Sequence, residues 1–163
     1  MRPVRIPIGL HLSQTARTVG RAFDDALAAA GGSTPVWLVL LNLKTQQLAS
    51  QRELAEAVGV REATLTHHLN AMETQGLITR TRDAANRRIH VVALTEAGEA
   101  AFLRLRDAAV SFDRKLRDGF TDADLDELGT LLGRLNANAG HQDDGALPWA
   151  GLAETAPRAP RQD

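Results

Sequence analysis

Four arginines, Arg80, Arg82, Arg87 and Arg88, stand close together against Asp83 alone, a local balance of four minus one. The chain of 163 residues carries a net charge of -1, and from Asp107 onward eleven acidic residues face six basic ones. Positive charge is therefore concentrated in one stretch, and it is the local field that a polyanion feels. Just upstream, Arg61, Glu62, Thr64, Thr66 and His67 fall off the apolar face of a helical segment. Their types suit the edges of nucleobases. Arginine can make a bidentate bond to guanine, glutamate can accept from cytosine, and threonine can touch phosphate or a thymine methyl. His67 can meet a phosphate or a base. His68 falls beside Leu65 and Met72 on the helix wheel, where a partly buried structural role is expected.

Other chemistries find less support. The chain has no cysteine, which excludes disulfides, thiolate zinc sites and a thiol redox switch. Of the five histidines, His67 and His68 diverge by about 100° on a helix, and His11, His90 and His141 lie on separate elements. No His-Glu-x-x-His spacing occurs, so no metal or cofactor is expected. Neither a nucleophile motif nor a phosphate-cradling glycine loop is present, which argues against an enzyme. Hydrophobic residues at 44% and charged residues at 24% are globular values. The longest apolar run, Val36 to Leu41, is too short to span a bilayer, and a cytoplasmic protein is the expectation.

The elements that must position these residues are mostly helical. Leu12, Ala16, Val19, Phe23, Ala26 and Ala30 have the spacing of an amphipathic helix ended by Gly31-Gly32. Thr34-Pro35 reads as cap and first-turn proline of a second helix running to about Thr45. Ser50 to Glu53 forms a capping box before a short helix, Glu53 to Val58, that stops at Gly59. The next helix is expected over Glu62 to Gln75, with Gly76 as its stop. Leu77 to Arg82 and Ile89 to Leu94 are β-prone and read as an antiparallel hairpin. Thr95 opens a long helix carrying Phe102, Leu105, Ala109, Phe112 and Leu116. Thr121-Asp122-Ala123-Asp124 opens a last one with Leu125, Leu128, Leu132 and Leu135. Residues 141–163, rich in Pro, Ala, Gly and charge, read as a disordered tail.

Gln51 to Leu69 has the arithmetic of a helix-turn-helix. Ala55 is small at the crossing, Gly59 allows the sharp turn, and Leu54, Val58, Val60 and Leu65 supply the shared core. A generic helical hairpin has some of the same features. The basic hairpin that follows separates the two, since a helix-turn-helix with a two-stranded wing is a DNA-reading unit.

Leu54 to Val60, Leu65-Thr66-His67-His68-Leu69, Met72 to Ile78, Arg82 to Arg88 and Val92 to Gly98 together resemble the MarR family of winged-helix regulators. The resemblance spans about residues 8 to 137 in order and at matching spacing. It implies a mainly α fold with a small β-wing, a winged helix-turn-helix flanked by N- and C-terminal dimerisation helices. Residues 1–33 and 95–140 would be the dimerisation helices, and 34–94 the DNA-binding unit. It implies a homodimer that binds double-stranded DNA at a pseudo-palindromic operator, with no membrane partner. Such a dimer would set its recognition helices about 34 Å apart. The function implied is that of a transcription repressor released by an aromatic or phenolic effector. A dimeric small-molecule-binding or protein-interaction module without DNA binding is the alternative.

Arg61, Glu62, Thr64, Thr66, His67, Arg82, Arg87 and Arg88 are the expected DNA contacts. Arg87 and Arg88 at a hairpin tip suit a narrow minor groove, although one of them can instead pair with Asp83. His11, Arg17 and Trp37 are candidates for the effector site, with Trp37 offering a stacking face; core or interface is the plainer role for that tryptophan. Three residues depart from the family pattern. Asn86 stands where an acid is frequent, Ala84 where proline is common, and Arg61 where a small capping residue is usual. A looser or more positive wing tip and a weakly capped recognition helix follow.

Overall fold

The computed structural model of the protein describes residues 6–45, 51–82 and 90–140. Helix α1 (Ile8–Ala29) ends at Gly31, and α2 (Thr34–Thr45), α3 (Gln51–Val58) and α4 (Glu62–Thr74) follow. Strands β1 (Ile78–Arg82) and β2 (His90–Leu94) pair antiparallel, with Ile78 opposite Leu94 and Arg82 opposite His90. Two further helices, α5 (Glu96–Leu116) and α6 (Asp122–Asn138), complete the order. The mainly helical chain with a two-stranded wing is the fold class expected.

The core gathers Leu40 and Leu41 of α2, Leu54 of α3, Leu65, Leu69 and Met72 of α4, Ile78 of β1 and Leu105 of α5. Each of these is fully buried, and a buried leucine or isoleucine contributes about 1.5–3 kcal/mol over an exposed one. Helix α1 joins through Leu27, which is fully buried, while Ala26 of the expected stripe is only half-buried. Farther toward its N-terminus α1 turns Ile8, Leu10 and Leu12 to the surface. Helix α5 shows the same gradient. Phe102, Leu105 and Ala109 are buried, Phe112 packs on Phe23 with ring centroids 5.2 Å apart, and Leu116 is exposed. Helix α6 buries no residue at all against its own chain.

The helix ends follow local chemistry, with one difference from expectation. The Thr121 hydroxyl accepts from the Asp124 N–H, and the Asp124 carboxylate accepts from Thr121, so the last helix opens on a complete capping box. At α2 the hydroxyl nearest the first-turn N–H groups belongs to Ser33, whose Oγ lies 3.5 Å from the Val36 nitrogen. Thr34 is drawn away because its hydroxyl donates to the Asp24 carboxylate of α1. Ser50 of the capping box expected before α3 lies outside the described residues, as does the tail 141–163. Asn42 is the buried polar side chain among the described residues. Its amide donates to the Leu38 carbonyl at 2.8 Å while its Oδ1 has no protein partner.

Candidate nucleic-acid interface

Helices α3 and α4 meet through a turn that only Gly59 fits readily. Its φ of 74° lies in the left-handed region. That conformation lets Gly59 N–H reach the Glu56 carbonyl and Val60 N–H the Ala55 carbonyl, each at 3.1 Å. Ala55 is buried at the crossing, with Val58 and Val60 packed at its edge. The same closure recurs after α4. There Gly76, with φ 71°, and Leu77 bond back to Glu73 and Met72, so β1 starts directly beneath the helix.

With Leu65, Leu69 and Met72 turned inward, the opposite side of α4 is free. Glu62, Thr64, Thr66 and His67, with Arg61 at the N-cap, are all exposed around this buried stripe. Arg61 occupies the N-cap with ψ 147° and makes no side-chain cap bond, as the sequence predicts. Glu62 in the first turn sits where the helix dipole favours a negative charge. The Thr66 hydroxyl donates to the Glu62 carbonyl at 2.8 Å, leaving its oxygen lone pairs and methyl to face outward. His68 is half-buried, its ring edge-on to His67 with centroids 5.9 Å apart.

In the wing, side chains alternate. Ile78 and its near neighbour Val92 face the core, and Arg82, farther along the same face, has run past it into solvent. Arg87 and Arg88, with Asp83, Ala84 and Asn86, lie outside the described residues. Arg80 is not available in the way its place in the basic stretch suggests, because its guanidinium is bonded to Glu73 and Asn70 of α4. Neither acceptor was evident as a partner in the sequence, since the pairing joins a helix to a strand across a turn.

Residues 33–90 match the MarR family model. The solved transcriptional regulator PA3341 is 31% identical, with a TM-score of 0.69, and the match covers 83% of this chain and 100% of that one. This chain belongs to the MarR family. A mutant MarR from E. coli complexed with operator DNA shares the fold at 20% identity and TM-score 0.71, over 80% of this chain and 94% of that one. So does CouR from Rhodococcus jostii RHA1 bound to p-coumaroyl-CoA, at 21% identity and TM-score 0.67, over 83% and 95%.

Within this MarR-family fold the three candidate effector residues do not converge. Trp37 is 3% exposed and its ring stacks on Phe102, centroids 5.8 Å apart and planes 13° from parallel. Its face is already taken by the core, so the stacking surface expected for a ligand is not free. His11 and Arg17 are exposed on α1, about 120° apart around the helix. Arg17 is turned back onto the carbonyl and hydroxyl of Ser13 at 3.3 and 3.2 Å. Among the described residues no group of three or more His, Asp or Glu could hold a metal ion. Nor is any single helix among them long and apolar enough to cross a membrane.

Proposed function

We propose that this MarR-family chain is a homodimeric transcription repressor of the cytoplasm that binds a pseudo-palindromic operator and is released by an aromatic or phenolic small molecule. The observation that carries the reading is the α4 surface. Arg61, Glu62, Thr64, Thr66 and His67 are exposed around the N-terminal turns of a helix anchored by buried Leu65, Leu69 and Met72. Base edges are read by such a set, and Arg82 beside it supplies a cation for phosphate, with Arg87 and Arg88 expected to add two more. Residues 34–94 act as the DNA-binding unit.

Residues 1–33 and 95–140 act as the dimerisation helices. Ile8, Leu10, Leu116, Phe120, Leu128 and Leu131 are exposed on α1, the end of α5, the turn after it and α6, more apolar surface than a solitary protomer would leave in water. An isologous pairing through them buries both copies at once. The effector acts by preferring a dimer geometry in which the two α4 helices are wrongly spaced, since only differential affinity shifts the two states. The p-coumaroyl-CoA on CouR and the 2,4-dichlorophenol on the organohalide-sensing regulator RdhR-CbdbA1625 support an aromatic class of effector.

Fluorescence anisotropy with duplex from upstream of the protein's own gene, against unrelated duplex at several salt concentrations, tests the proposal. Binding should be sequence-preferring and fall steeply with salt. Arg82→Ala should lower the salt slope by about 1 per contact, thus about 2 per dimer. A panel of aromatic acids and phenols should contain compounds that release the operator. Absence of duplex binding even at low salt would sink the DNA reading and favour an interaction module.

A further inference from the structure

We propose that Arg80 is a positioning residue that ties the wing to the recognition helix, and that this tie withholds its cation from phosphate. The inference rests on the DNA-binding reading above and adds a residue to it. Arg80 lies on β1 between Ile78 and Arg82, directly opposite Val92, on the sheet face that enters the core. Its side chain is 18% exposed, whereas Thr79, Thr81 and Arg82 on the same strand are exposed. Nε donates to Glu73 Oε2 at 2.9 Å. Nη2 donates to the same oxygen and to Asn70 Oδ1, the latter at 2.6 Å.

Asn70 and Glu73 are three residues apart, one turn of α4, so both acceptors stand on one side of that helix. A planar guanidinium engaging two points a turn apart fixes rotation as well as distance, which a single bond cannot. The start of β1 is already attached to α4 through Leu77 N–H and the Met72 carbonyl at 2.9 Å. Ile78 and Val92, buried in the core, and the Leu77 carbonyl that accepts the Thr95 N–H hold the base of the hairpin as well. Arg80 adds an attachment to α4 farther along the same strand, beyond that buried base, and so limits how the outer part of the hairpin can tilt against the helix. Asn70 also lies between Thr66 and His67 around the helix, so the tie reaches the edge of the surface proposed to read bases. The wing's angle and the recognition face are thereby set together.

The charge follows the geometry. With the Glu73 carboxylate on Arg80, one of the four arginines in the basic stretch is neutralised locally. A phosphate would have to compete with a carboxylate already in place.

The test uses full-length Arg80→Gln, Glu73→Ala and the double variant, with two readouts. In the free protein, hydrogen exchange of the amides of 78–82 and 90–94 should speed up about fivefold in each single variant, the size expected of a partly exposed ion pair. The double variant should exchange no faster than either single, because the same tie is cut. On DNA, the preference for operator over unrelated duplex should fall about fivefold while the salt slope stays at the wild-type value. Arg80→Lys should not rescue it, since an ammonium cannot fork across a turn. A salt slope lowered by about 1 per protomer in Arg80→Gln, with tighter binding by Glu73→Ala, would mark Arg80 as a phosphate contact and overturn the proposal. Additive or absent exchange effects would overturn it too. If the wild type binds no duplex, the DNA reading fails, and the exchange cycle alone still decides the tie.

Discussion

Replacing Gly98 with alanine tests the junction that holds the wing to α5. A methyl at this position would be driven into the Leu77 carbonyl, 3.0 Å from its carbon and 3.3 Å from Leu94 Cδ2. The carbonyl is backbone, so no rotamer can give way, and α5 must retreat by about 1 Å from a close-packed neighbour. That carbonyl accepts the Thr95 N–H at 3.1 Å. The Thr95 hydroxyl in turn caps α5 through Gly98 N–H at 3.0 Å and donates to the Gly76 carbonyl at 2.6 Å. Overpacking costs about 1–3 kcal/mol, a weakened hydrogen bond about 1 and a disturbed cap about 1. Alanine's better helix propensity returns about 1 kcal/mol. The net loss is about 2–4 kcal/mol, a fall in Tm of about 4–16 °C for a chain of this length. Scanning calorimetry with urea titration measures it. Ala97→Gly, exposed one residue earlier, should cost only about 1 kcal/mol through propensity. A Gly98→Ala protein melting within about 1 °C of wild type would refute the close approach of α5 to β1 on which the reasoning stands.

Two further outcomes are expected. The Asp124 carboxyl is held below its ordinary value by the Thr121 hydroxyl and then by the Thr121 N–H. A depressed folded-state value means its contribution is present above the unfolded value and is lost as pH falls through the folded one. Wild type should therefore lose α6 helicity on acidification below the carboxylate range, with Asp124→Asn already reduced at neutral pH and flatter; superimposable far-UV circular dichroism acid limbs would contradict this. Leu128 is 46% exposed on α6, and Leu128→Glu should shift sedimentation from dimer to monomer while near-UV circular dichroism stays native. An unchanged dimer would remove α6 from the interface.

What is local along the chain is legible in the residues. Gly59 and Gly76 take the left-handed conformation that ends their helices, Thr121 and Asp124 cap reciprocally, and the period change after Gly76 marks the hairpin. What is missed depends on partners brought in by the fold. Thr34 has the type of a cap, yet Asp24 on the neighbouring helix captures its hydroxyl and Ser33 takes its place. Trp37 offers an aromatic face in the sequence, and only the arrival of Phe102 from α5 shows that the face is filled. Arg80 counts as free charge until Glu73 is seen beneath it. Asn42 follows the apolar run Val36 to Leu41, and no pattern foretells that its amide is buried with an acceptor left over. The exposed α4 face was legible because period 3.6 sorts it from Leu65, Leu69 and Met72. An effector site was not, since His11 and Arg17 diverge on α1 and Trp37 is buried on α2.

Helix α6, capped at its start yet burying nothing against its own chain, bears on how the protein would respond to its own abundance. A 17-residue helix without a packed face is only marginally stable in water, so its order would be completed by the second copy. In the proposed dimer, folding of α6, dimerisation and DNA binding would then share one mass-action equilibrium. While protomers are mostly apart, operator occupancy rises with the square of their concentration. Halving expression would cut occupancy about fourfold in that regime, giving the regulated promoter a threshold. A change in protein synthesis alone could then open or close it without any effector.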